Sequence, residues 1–147
     1  MDVVLLKAWS PLPLRVVAGI IFIVHGGQKL FVYGIGGFAG ALSQMGIEPA
    51  MFWSVIVTLV EFLGGIAVLI GLFTRWAALL LAVDMAVAVV VVHFPKGFFT
   101  SQGGFEFPLT LLGVCLSLLL SGAGPFSLDG LLGRERAVSQ RELTGKS

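Results

Sequence analysis

The 147-residue chain is 57% hydrophobic and only 12% charged, with a formal net charge of +1. That balance lies outside the soluble globular norm and makes a bilayer the fitting solvent, while a charge so near zero, without any Lys/Arg run, excludes nucleic acid as a partner. One cysteine, Cys115, excludes an internal disulfide and a Cys-x-x-Cys redox pair, so any electron transfer must draw on something outside the chain.

The expected fold is all-α: an integral membrane four-helix transmembrane bundle with the N and C termini on the same side. Lys7 precedes the first apolar run, but no small-x-small cleavage site appears before His25 and Lys29, so the run is expected to stay attached as span one. It covers residues 14–33, a length that at ~1.5 Å rise per residue matches a hydrocarbon core of ~30 Å. Glycines then break the helix, while Phe38, Ala41, Leu42 and Met45 recur at helical spacing, which predicts a short interfacial or re-entrant helix. Span two covers 52–73. Thr74 and Arg75 interrupt it briefly before span three, 76–92, so the two spans are expected to turn back tightly as a hairpin.

The stretch Phe94 to Gly104, with Pro95, Lys96 and its glycines, reads as a loop over the bundle mouth. Span four covers 105–121, with Pro108 in its first turn, and Gly122-Ala-Gly-Pro125 stops it. Ser127-Leu-Asp129 predicts a capped start for a brief helix. Residues 1–133 are thus expected to form a single four-span membrane domain, and the polar tail over 134–147 to be disordered. Lys7, Arg15, Arg75, Arg134, Arg136, Arg141 and Lys146 fall on one side of the spans against Lys29 and Lys96 on the other, which predicts an inner-membrane protein with both termini cytoplasmic.

In each span the polar and small residues repeat at helical spacing, which predicts a shared interior: Arg15, Ala18, Phe22, His25 and Lys29 in span one, and Ser54, Thr58, Glu61, Gly64 and Gly65 in span two. Ala77, Leu81, Asp84 and Ala88 continue it in span three, with Glu106, Thr110, Gly113, Ser117 and Ser121 in span four. Glu61 and Asp84 lie near mid-span, where a charge costs on the order of 2.5–3.5 kcal/mol. Protonation or pairing with Lys29 or a protonated His25 can compensate, and the sequence leaves both routes open. Gly19, Gly26, Gly64, Gly65 and Gly113 predict close approach of helix backbones.

His25 and Lys29, four residues apart, can act on one ligand, as proton exchanger and as polariser of a carbonyl. His93 and Glu106 bracket the outer loop and are expected beside Lys29, where they can relay protons toward Glu61. The rival reading for all these groups is structural, buried hydrogen bonds that fix helix register. Two histidines and scattered carboxylates lack a close ligand motif, so no metal is expected.

His25-Gly26 with Lys29, Glu61 with Gly64-Gly65, Gly71-Leu-Phe-Thr-Arg75, His93-Phe-Pro-Lys-Gly-Phe98, Phe105-Glu106 and Gly124-Pro-Phe-Ser-Leu-Asp129 occur in an order and spacing that resembles the DoxX family of small bacterial membrane proteins. The resemblance implies a four-helix membrane fold and an association with membrane redox systems, including a relation to the quinone-reducing subunit of thiosulfate oxidation. It implies no agreed catalytic set, and the fold alone does not settle function.

The leading expectation is therefore a quinone-associated component of a membrane oxidoreductase, with His25 and Glu61 delivering protons and Lys29, His93, Glu106 and Asp84 binding the ligand beside Phe22, Phe31 and Trp53. Its expected partners are the bilayer, a redox partner protein and a second copy of the chain. The rivals are a non-enzymatic assembly subunit and a proton-coupled carrier of small solutes. Four spans without a detectable inverted repeat weigh against the carrier unless the chain dimerises.

Overall fold

The computed structural model describes residues 9–133. The polar tail, Lys7 and both chain ends, on which the sidedness of the termini turns, lie outside the described residues. Within them every regular element is helical. Helix α1 (Pro11–Gly27) runs on through a π-helical segment, Gln28–Val32, and α2 (Gly34–Gln44) follows it. Helix α3 is Ala50–Ile70, and α4 (Thr74–Val87) runs into a second π-helical segment, Ala88–His93. Two 3₁₀ turns then lead to α5 (Glu106–Ser121).

Three runs, Pro11–Val32, Ala50–Ile70 and Thr74–Lys96, are long and apolar enough to cross a membrane, and Glu106–Ser121 is a shorter apolar helix. Helix α1 packs chiefly on α3, α3 on α4, and α4 on α5, while α5 also returns to α1. Their shared core is built from Ala18, Phe22, Val68, Ala78, Leu81, Leu111, Cys115 and Leu118. Glycine makes the α1–α3 seam close. A Cβ on Gly26 would lie 2.5 Å from the Phe62 nitrogen, and one on Gly65 2.7 Å from the Ile23 nitrogen. Gly113 does not act this way, because nothing lies within 4 Å of where its Cβ would be.

The hairpin turn falls slightly earlier than the polar pair Thr74 and Arg75 suggests. Gly71, at φ +72°, ends α3, and the Leu72 N–H reaches back to the Ala67 carbonyl at 2.9 Å, which is the Schellman closure that glycine permits. Thr74 is thereby the first residue of α4. The Asp129 carboxylate caps that helix, accepting from the Phe73 N–H at 2.7 Å and the Thr74 N–H at 2.9 Å. Ser127 accepts from the Gly130 N–H at 3.0 Å and opens a short helix over 128–133. That is the capped start expected of Ser127-Leu-Asp129, with Asp129 serving a different helix.

Arg15 holds this end together. The residue is 1% exposed, and its guanidinium donates to five backbone carbonyls: Val68 at 3.1 Å, Leu69 at 3.0 Å, Ala123 at 2.7 Å, Pro125 at 3.4 Å and Phe126 at 3.2 Å. One side chain from α1 thus ties the carbonyls at the end of α3 to those of the segment after α5.

The face of α5 differs from the one its polar residues suggest. Thr110, Gly113, Ser117 and Ser121 are exposed, and Pro108, Leu111, Cys115 and Leu118 are buried. Hydroxyls need not turn inward when the helix itself supplies an acceptor: Thr110 donates to the Glu106 carbonyl and Ser121 to the Ser117 carbonyl, each at 2.8 Å.

Helix α2 is the short helix that Phe38, Ala41, Leu42 and Met45 foretell. It lies against the start of α3 through Ala39, Leu42 and Ala50. In the connection after it, Glu48 accepts from the Ser43 hydroxyl at 2.6 Å and the Ala50 N–H at 2.8 Å, and these bonds hold its carboxyl below the usual range.

Candidate ligand cavity

At the end opposite Arg15 the helices part around a cavity of about 550 Å³. Its wall is mostly apolar, with Phe22, Phe38, Trp53, Met85, Phe107 and Leu111 among the lining residues, and five ionisable side chains join them: His25, Lys29, Glu61, Asp84 and His93. A cavity of this size with a few convergent polar groups has the make-up of a small-molecule site. Glu106 is not in the wall. It begins α5 with its N–H on the Phe98 carbonyl at 2.9 Å, and the next two residues, Phe107 and Pro108, face the cavity instead. Phe31 is also elsewhere, 75% exposed and edge-on to Phe62.

Glu61 and Asp84 both sit near the midpoints of their runs, yet they are treated differently. The Lys29 Nζ lies 2.5 Å from Glu61 Oε2, with side chains 16% and 6% exposed, so pairing is the compensation that Glu61 receives. The same ammonium stands over the Phe38 ring, 5.3 Å from its centroid. Asp84 lines the same cavity as Glu61 and Lys29. Its Oδ2 is nonetheless buried without a hydrogen-bond partner among the described residues.

The histidines occupy the mouth. His93 Nδ1 is 2.6 Å from the Gly103 carbonyl, and since a carbonyl oxygen only accepts, Nδ1 carries the hydrogen. The neutral ring therefore keeps its lone pair on Nε2. Thr100, Gly103 and Gly104 line the cavity beside it, so part of the 94–104 loop does close over this end. His25 is more exposed, its ring 5.9 Å from that of Phe107.

Both π-helical segments border the cavity. Lys29 lies in the first and His93 ends the second, which also contributes Ala88, Val91 and Val92 to the wall. The bonds from the Tyr33 N–H to Gln28 and from the Phe94 N–H to Val89 span five residues and widen the helix there. Such segments recur at functional sites, but nothing in the apolar runs announces them. The sequence pattern places Phe38 on a short helix but marks neither Phe38 nor Phe107 as a cavity residue. Phe38 stands one turn from Leu42 on the helix that covers the cavity, and this spacing is the signal that could have found it.

Residues 10–94 match the DoxX family, and the chain belongs to that family. Its relatives include "Putative oxidoreductase CatD" of Bacillus subtilis, 33% identical over 116 residues that cover 79% of this chain and 81% of that protein. "Inner membrane protein YqjF" of Escherichia coli is 33% identical over 126 residues, 82% of this chain and 90% of that protein. An uncharacterized membrane protein of Mycobacterium tuberculosis is 33% identical over 135 residues, 85% of this chain and 82% of the relative. No solved structure gives a significant match. The protein is a membrane protein of the DoxX type.

Proposed function

We propose that this chain is a quinone-associated component of an inner-membrane oxidoreductase, and that the cavity between α1, α3 and α4 receives the quinone head. In this reading α5 completes a four-span bundle with both termini cytoplasmic, as the excess of Arg and Lys near one set of span ends favours. The observation that carries the reading is the cavity itself: an apolar chamber of about 550 Å³ in which His25, Lys29, Glu61, Asp84 and His93 converge. The name of the Bacillus subtilis relative, an oxidoreductase, points the same way.

A bound quinone supplies two-electron, two-proton redox chemistry, with the electrons coming from a partner protein. This chain's residues bind the head and move protons. Phe22, Phe107 and Trp53 exclude water from the ring, His25 at the mouth exchanges protons with the outer surface, and the Lys29–Glu61 pair passes one inward. The test is quinone binding to the full chain in lipid nanodiscs, read by displacement of a radiolabelled short-chain benzoquinone. Binding that weakens about tenfold or more in His25→Ala and Glu61→Gln supports the assignment. Binding indistinguishable from empty nanodiscs sinks it. Loss of a partner protein's abundance on deletion, without any quinone binding, would move the reading to an assembly subunit.

A further inference from the structure

The cavity wall holds hydrogen-bond acceptors that no donor among the described residues meets. Neither oxygen of Asp84 has a hydrogen-bond partner among the described residues, and Oδ2 is buried as well. Glu61 uses Oε2 for Lys29, and Oε1 has no hydrogen-bond partner among the described residues. His93 has its N–H occupied by Gly103, so the neutral ring offers only an acceptor. On the donor side, the Lys29 ammonium gives one of its three N–H groups to Glu61 and stands over the Phe38 ring, and Trp53, also in the wall, carries an indole N–H. His25 and Thr100 each add a donor and an acceptor.

We infer that the molecule bound here presents a hydroxyl, donated to Asp84, so that the cavity prefers a hydroquinone to the corresponding quinone. The inference rests on the quinone-class reading above and specifies which redox form is recognised. Its core is a property of the carboxyl group. Ionised or protonated, Asp84 retains at least one acceptor oxygen without a donor; a hydroxyl complements either form, whereas a bare carbonyl complements only the protonated one. The mutual neutralisation of Lys29 and Glu61 adds a second restriction, because a phosphate or carboxylate head meets a cation whose charge Glu61 already balances.

Trp53 lines the cavity, while Trp9 and Trp76, the other two of the three tryptophans, do not. A Trp9→Phe/Trp76→Phe background therefore makes Trp53 fluorescence a report on this site. In nanodiscs, with empty discs as the blank, three probes are titrated: a short-chain benzoquinone, its hydroquinone kept anaerobic, and the dimethyl ether of that hydroquinone. The hydroquinone is expected to bind about tenfold tighter than the other two. Asp84→Leu, close in shape, is expected to abolish the preference so that all three bind alike, and Asp84→Asn, which adds a donor, to tilt it toward the quinone. A quinone that binds wild type as tightly as the hydroquinone overturns the inference and leaves the quinone-class reading standing. A hydroquinone preference that survives Asp84→Leu overturns the assignment to Asp84. Absence of binding by all three overturns both.

Discussion

Arg15 and Asp84 are both ionisable groups set into long apolar helices, and the surroundings of the two could hardly differ more. Around Arg15 five carbonyls from two segments are drawn onto one guanidinium, and Asp129 and Ser127 complete the neighbouring helix ends. Around Asp84 a chamber of about 550 Å³ is open and its carboxyl lacks a hydrogen-bond partner among the described residues. Arg15 and Asp129 are satisfied within the fold, and the Asp84 carboxyl left over at the cavity is available to something else. The buried Thr58 and Thr74 hydroxyls, which also lack partners among the described residues, do not line that cavity. The Lys29–Glu61 pair stands between these extremes, satisfied in itself yet forming part of the cavity wall.

The sharpest way to break this contrast is at Arg15. Arg15→Met removes the guanidinium donors to those five carbonyls and is expected to lower stability by at least about 4 kcal/mol, a loss that belongs with broken buried networks. Thermal unfolding in mild detergent checks it, and a shift no larger than that of an average surface substitution would remove the case for a structural clamp. Next in size is Lys29→Met, which strands the Glu61 carboxylate and is expected to cost about 3 kcal/mol. The double variant Lys29→Met/Glu61→Leu is expected to recover most of that loss, so a double-mutant cycle separates pairing from packing. The smallest effect is expected from Asp84→Leu. Removing an unpartnered polar group should leave the melting temperature unchanged or raise it, as at sites where activity and stability are traded. A large destabilisation there would make Asp84 a structural residue.

Much of this arrangement was legible in the chain. The apolar runs, the tight reversal near Thr74, the helix carrying Phe38 and Leu42, and the cap at Ser127 all follow from patterns spaced a few residues apart. Glu61 and Asp84 stand out because carboxyls at mid-run are costly, but which of them is paired depends on Lys29 reaching across from another helix, a contact that no local pattern encodes. The buried face of span four departs from its polar stripe for a related reason. Thr110 and Ser121 look inward-facing until their hydroxyls are seen bonded to the preceding turn of their own helix. Arg15 is visible as a charge in the first apolar run, yet its role as an acceptor-gathering clamp depends on carbonyls more than fifty residues away in sequence.

The glycine seam between α1 and α3 reaches further than packing. With Gly26 abutting the backbone at Phe62, the two helix axes are drawn together one turn from where Lys29 meets Glu61. A methyl group at Gly26 would act as a wedge there, prying the ammonium from the carboxylate and admitting water between them. The least bulky residue of the seam thus sets whether opposite charges on adjacent helices can touch.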